Sequence, residues 1–236
     1  ASITAEMLLK GSISKDKYAL SKALESFGVR MNIRANTYKT TFSFKCLSTN
    51  VDEVVAILAD ALRNPAFDEK EFELLVKQYS GRIKNNLDNP SILAKIKLSQ
   101  LIYSIGHPEY LDSVEVQIEK INEVTLDDIK AFHKDYYGAN EMHVVAVGDI
   151  NGKVPVAFGK TFKDWNGGVS FKSVTSRGKS LAKTQTEIIT VKGKSSAQLL
   201  IAQHTGLTSE DADFRPMQLA IFALGGGMSG RLMQTV

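Results

Sequence analysis

The chain has 236 residues, 43% of them hydrophobic, 23% charged and 8% aromatic, which excludes disorder as its main state. With domains usually running to about 150 residues, the length divides out to roughly one and a half of them. Lys and Arg total 29 against 26 Asp and Glu, a scattered net charge of +3 that points to neither nucleic acid nor an acidic membrane surface. A single cysteine, Cys46, excludes an internal disulfide framework and a cysteine-based zinc site, and no apolar run reaches the length of a membrane span.

Helical signals dominate the first 135 residues. ASITAEMLLKGS carries Ile3, Met7 and Leu8 at helical spacing, so the chain opens inside an element. Ser14 is placed to cap a helix running to Phe27, with Leu20, Ala23, Leu24 and Phe27 inward and Gly28 as its stop. From Val29 to Leu47 the period changes to two, predicting two strands or one long bent strand. Phe42, Phe44 and Cys46 alternate onto one face there, which makes Cys46 a small buried hydrophobe rather than a reactive thiol. Asn50 and Glu53 open a helix striped by Val51, Val54, Val55, Leu58 and Leu62, ended by Asn64 and Pro65. Asp68 with Glu71 opens a long helix carrying Phe72, Leu75, Val76, Tyr79 and Ile83, and Asn89 with Pro90 begins another.

Thr125 and Asp128 start a further helix with Leu126, Ile129 and Phe132 inward, and MHVVAVGDI, residues 142–150, is the strongest strand signal in the chain. Residues 166–183, rich in Gly, Lys and Ser, have no sustained period and read as a linker. Strands TEIITV (186–191) and AQLLIAQHTG (197–206) follow, then an apolar helical stretch over 214–224 and a run of glycines. Interleaved strands and helices, with the helices in consecutive runs, argue an α+β fold with helices packed on one face of a sheet.

Few local motifs carry chemistry. Gly225, Gly227 and Gly230 satisfy GxGxxG, but a dinucleotide fingerprint needs a strand before it and an acidic residue about 20 positions later. The string reads as a glycine-rich turn joining two helices, with a dinucleotide-binding oxidoreductase as the remote alternative. His107, His133, His143 and His204 lie far apart and read as packing or surface residues. Glu69, Glu71, Glu73, Asp127 and Asp128 fall in first turns of helices, where the macrodipole accounts for them. AEMLLKGSISKDKYALSKAL and AIFALGGGMSGRLMQTV share a layout of apolar helix, small-residue turn and second amphipathic helix, which suggests a duplicated domain.

Several segments together, in order and spacing, resemble the pitrilysin or insulinase family (M16) of zinc metallopeptidases, which includes the mitochondrial processing peptidase. They are MLLKGS (7–12), LESFGVRMNIRA, VVAILADALRNPAFDEKEF, DNP at Asp88–Pro90, VTLDDIKAFHKDYYGANEMHVVAVGDI and AIFALGGGMSGRLM. The resemblance implies an α+β fold with a mixed, mostly antiparallel sheet, helices on one face, and a duplicated domain of the mitochondrial processing peptidase type with both copies truncated. Residues 1–165 would be a first domain lacking its leading strands, 166–183 the linker, and 184–236 the beginning of a second domain.

Family members carry an inverted zinc motif, HxxEH, directly before the segment corresponding to MLLKGS, and two glutamates on a later helix. Two His and the distal Glu hold zinc, and the Glu inside the motif activates water. The matching window here is SITAE: Ser2 and Glu6 stand where the two His would be and Ala5 where the general base would be. Leu75 and Arg82 stand where the two glutamates would be, Arg82 at the ligand position. The resemblance therefore implies a non-catalytic half or inactive subunit with no cofactor of its own, which closes a substrate chamber over peptide bound by a zinc-bearing half. That half would lie in the same chain or in a partner subunit. The alternative is a structural or assembly subunit like the respiratory-complex core proteins that resemble this family. Peptide capture by strand addition would fall on Asn32, Ile33, Arg34 and Ala35. The compartment stays open, with bacterial periplasm or cytoplasm suggested by the family's range.

Overall fold

The computed structural model describes residues 1–150, 152–169, 178–179, 183–227 and 229–235. Its elements are α1 (Ser2–Met7), α2 (Lys17–Ser26), β1 (Asn32–Ala35), β2 (Thr40–Ser43), α3 (Val51–Arg63), α4 (Glu69–Lys84), α5 (Pro90–Ile102), α6 (Val114–Glu123), α7 (Leu126–Tyr136), α8 (Lys153–Phe162), α9 (Phe214–Gly225) and α10 (Arg231–Thr235).

The core is built around α3, whose apolar residues are too numerous for one stripe. Val51, Val55, Leu58, Ala59 and Leu62 pack with Leu8 and with Ala157 and Phe162 of α8. Val54 and Ala61 face the other way, onto Leu20 and Leu24 of α2 and onto Val29. A third cluster joins Ile3 and Met7 of α1 to Phe72 and Leu75 of α4 and Ile129 of α7. Helix α1 thus contributes to one cluster while Leu8, the residue after it, contributes to another. Trp165 packs against the α3–α8 cluster, so the first core reaches that far along the chain.

Local chemistry sets the ends of these helices. Asp16, not Ser14, caps α2, accepting from the Ala19 N–H at 2.8 Å. Ser14 instead donates to Asp60 on α3, as Ser12 does, which fastens the loop after α1 onto α3. The stop at Gly28 forms as expected: its φ of 67° permits the Gly28 N–H to reach the Glu25 carbonyl and the Val29 N–H the Leu24 carbonyl, a Schellman ending. Gly11, at φ 122°, cannot be replaced without strain, because a Cβ there would sit 2.9 Å from the Lys15 carbonyl oxygen. Asp68 caps α4, and Thr125 with Asp128 forms a reciprocal capping box on α7. Asn50 precedes α3 without a side-chain cap, since a 3-10 turn over Ser48–Asn50 leads into the helix.

The period change after Val29 gives one antiparallel hairpin with Asn32 opposite Ser43, Ile33 opposite Phe42, Arg34 opposite Thr41 and Ala35 opposite Thr40. Asn36 closes its turn, accepting from the Tyr38 and Lys39 N–H groups at 2.9 Å each. Phe42, Phe44 and Cys46 are half-buried against the core, and burial pushes the Cys46 thiol pKa up.

The larger expected sheet is absent among the described residues, where the hairpin is the one sheet and two isolated bridges, Gly11 with Asp16 and Ser12 with Pro65, complete the β-structure. Residues 142–150, 186–191 and 197–206 carry no ladder. Alternation specifies a ribbon, but a strand exists only when a neighbour pairs with it, and among the described residues no strand pairs with these segments. Val147 is 95% exposed and Ile201 86%. Most of the expected linker falls outside the described residues. The apolar stretch over 214–224 is helix α9, with Gly225 its last residue and α10 beyond, so the glycines follow a helix and lack the strand that a dinucleotide fingerprint needs. Helices α6 and α8 answer to no signal taken from the sequence.

The Thr4 hydroxyl is buried with no hydrogen-bond partner among the described residues. Replacing it by a methyl of the same shape removes an unsatisfied polar group from the α1 interface. Thr4→Val is expected to raise unfolding free energy by about 1 kcal/mol, measured by urea denaturation, whereas Leu8→Ala should lower it by about 2–5 kcal/mol.

Candidate functional site

Helix α1 turns its apolar residues into the core, and of its six residues only Ser2 and Glu6 are not buried. Four positions apart, they share one face. Opposite them, α4 buries Phe72 and Leu75 and brings Tyr79 and Arg82, three apart, up beside α1. The Tyr79 hydroxyl donates to Glu6 Oε1 at 2.7 Å, and Arg82 Nη1 stands 3.8 Å from the same oxygen. The Arg82 guanidinium carbon lies 5.0 Å from the centre of the Tyr79 ring, in cation–π range. Burial, reinforced by the Glu6 carboxylate that accepts its proton, pushes the Tyr79 phenol pKa up to about 12.

Beside this cluster a cavity of about 290 Å³ opens between α1 and β1, lined by Ser2, Ala5, Glu6, Ile33, Arg34, Ala35 and Tyr79. The structure therefore brings together Ser2, Ala5, Glu6 and three residues of the expected peptide-capturing strand, with Arg82 reaching Glu6 from α4. Leu75 is not at the cavity; it is buried among Ile3, Met7, Phe72 and Ile129. Asn32 lines a neighbouring cavity of about 560 Å³ with Arg34, Ala35, Asn36, Thr41 and Ser43. Tyr79 was read from the sequence only as part of a core stripe. Its spacing from Arg82 was the available signal, but its partner on α1 lies 73 residues away in the chain.

A zinc ion in a protein takes three or four nitrogen, sulfur or oxygen ligands from side chains. Ser2, Ala5, Glu6 and Arg82 supply one carboxylate, already accepting from a phenol and facing a guanidinium. Among the described residues no three His, Cys, Asp or Glu side chains come together as a metal-holding group. This donor set does not fit the ion. The histidines sit elsewhere: His133 Nε2 is 2.7 Å from the Leu62 carbonyl oxygen and its ring stacks on Tyr137, with burial lowering its pKa.

Residues 1–107 match the family described as insulinase (peptidase family M16), and residues 123–236 match the peptidase M16 inactive domain. Over its whole length the chain is 21% identical to the non-peptidase homolog YmxG of Helicobacter pylori, covering 54% of that protein. It is 24% identical over 142 residues to the mitochondrial-processing peptidase subunit alpha of Solanum tuberosum, covering 60% of this chain and 28% of that one. Its fold is similar to that of the peptidase M16 inactive domain from Pseudomonas fluorescens, with a TM-score of 0.73, 19% identity, and coverage of 99% of this chain and 56% of that one. The chain spans about half the length of the whole-length relatives it matches.

The Tyr79–Glu6 contact has a pH signature. A phenol whose folded pKa lies above its unfolded value of about 10 contributes stability that is present below pH 10 and lost as pH rises toward the folded value. Unfolding free energy measured at intervals from pH 9 to 11 should fall more steeply in the unaltered protein than in Tyr79→Phe. Glu6→Gln should move the phenol's ultraviolet titration toward pH 10, and an unmoved titration would refute the assignment.

Proposed function

Because the chain belongs to the M16 peptidase family, we propose that it is a non-catalytic M16-type domain that forms the substrate chamber for a zinc-bearing half, in the same polypeptide or in a partner subunit. The observation that carries this reading is the cluster on α1 and α4. At the positions where the family places two His, a general base and a distal Glu stand Ser2, Glu6, Ala5 and Arg82, and the guanidinium faces Glu6 across 3.8 Å. A fixed cation there repels a divalent ion instead of holding one. Zinc and hydrolysis belong to the partner half, and peptide is the shared substrate.

Residues 1–165 form the first peptidase-like domain in this reading, 166–183 its linker and 184–236 the start of a second. The exposed alternating segments at 142–150, 186–191 and 197–206, which lie outside any ladder here, would join a mixed, mostly antiparallel sheet only once a neighbouring strand pairs with them, and the relatives about twice as long as this chain support that reading. The helix–glycine turn–helix arrangement at α9 and α10, set beside that of α1 and α2, supports a duplication.

A purely structural or assembly role is the second reading, favoured by the similarity along the whole chain to a protein named a non-peptidase homolog. Reconstitution separates the two. The chain alone is expected to hold no stoichiometric zinc by elemental analysis and to cleave no quenched-fluorescent peptide. Adding a zinc-bearing M16 half should give chelator-sensitive hydrolysis at least about tenfold above that half alone. One tightly held zinc per isolated chain with hydrolysis would sink the non-catalytic reading, and complex formation without any rate gain would favour the structural one.

A further inference from the structure

We propose that the free edge of β1 takes an extended acidic peptide segment, with one carboxylate of the segment set against Arg34. This rests on the proposed substrate chamber, with Asn32–Ala35 taken as its peptide-capturing edge, and it names the chemistry of what enters.

Strand β1 pairs with β2 on one side only. Among the described residues, its four backbone units make no bond outside that ladder, so the other side offers donors and acceptors to a guest strand. The pleat then sorts the side chains. Asn32 and Arg34, with Ser43 and Thr41 across from them, project onto one exposed face, while Ile33 and Ala35 with Phe42 and Thr40 project onto the half-buried other. The exposed face borders the cavity of about 560 Å³, whose lining of Asn32, Arg34, Ala35, Asn36, Thr41 and Ser43 holds one charged residue, Arg34.

Arg34 also lines the smaller cavity, where the acid within the lining is Glu6. Glu6 is engaged by the Tyr79 hydroxyl and the Arg82 guanidinium. Two guanidiniums therefore stand against one carboxylate, and no ion pair among the described residues includes Arg34. A strand laid along β1 places one side chain directly across from Arg34, where an opposite charge is the favoured cross-strand partner. The side chains on either side of that acid point the other way, over Ile33 and Ala35 toward Ser2 and Ala5, where small or apolar residues fit.

Fluorescence anisotropy with labelled ten-residue peptides tests this, each alternating Val and Thr around a central Glu, Gln or Lys, added to the full-length protein. The Glu peptide should bind about two- to fivefold tighter than the Gln peptide, as for an exposed charge pair, with the difference shrinking as salt is raised. Arg34→Gln should abolish the difference, Arg34→Lys should keep most of it, and Arg34→Glu should turn the preference to the Lys peptide. Equal binding of the Glu and Gln peptides, or a preference that Arg34→Gln leaves untouched, overturns the acidic assignment while peptide capture stands. Failure of all three peptides to bind overturns both.

Discussion

Six residues make too short a helix to persist alone in water, and α1 exists because its surroundings bury it. Ile3 and Met7 lock into the cluster with α4 and α7, and Leu8, directly after the helix, into the cluster with α3 and α8. The loop that follows is fastened by Ser12 and Ser14 to Asp60, by the Ile13 N–H to the Asn64 carbonyl, and by the Ala66 N–H to the Gly11 carbonyl. With the helix pinned at both ends, its rotation is fixed. Ser2 and Glu6 then have one direction available, toward β1 and α4, and the geometry of the candidate site depends on that rotation.

The Glu6–Arg82 pair is not what holds the two helices together. Arg82 is 61% exposed and Glu6 30%, and a pair that accessible is worth at most about 1 kcal/mol. Leu75 and Phe72 beneath it, packed with Ile3 and Met7, supply the larger share. What the pair does is electrostatic and local. It commits the one carboxylate of the cavity lining to a cation on α4, with the phenol of Tyr79 donating to the same oxygen, and among the described residues it leaves Arg34 on β1 without an ion pair. The carboxylate in the cavity lining is thereby taken up by groups of α4, and the other charged side chain of that lining is Arg34.

The helices were legible wherever the signal was local. Asp68 and Glu71, Thr125 and Asp128 and the Gly28 ending all act within one or two turns, and each forms as its spacing implies, whereas the expected single stripe of α3 divides between two clusters, with Val54 facing α2. The hairpin was legible too, because its strands are only four residues apart and pair with each other. Residues 142–150 carry a stronger alternation than either hairpin strand, yet with no partner strand among the described residues the same pattern gives an exposed segment outside any ladder. Ser14 misled because it is a good capping residue near a helix start, while Asp16, two positions later, is better placed and Ser14 is engaged by Asp60. Resemblance singles out Ser2, Ala5, Glu6 and Arg82, and the structure brings them near one another, but the contact of Tyr79 with Glu6 was not legible, since helical spacing on α4 says nothing about what α1 presents to it.

The cavity between α1 and β1 is the space that Ser2 and Ala5 leave by being small. Ala5 is buried at 1% exposure and contributes only a methyl group, so a strand approaching β1 meets a shallow, nearly neutral wall there. Charge enters from two sides: from Glu6, already committed to Tyr79 and Arg82, and from Arg34 on the opposite face of the ribbon. In the proposed complex an incoming chain would be sorted by its own pleat, its inward side chains limited in size by Ala5, Ile33 and Ala35 and its outward ones limited in charge by Arg34. Size on one face and sign on the other are set by different elements, α1 and β1, so an Ala5→Leu change should close the inward positions to bulky residues without altering which charge the outward position accepts.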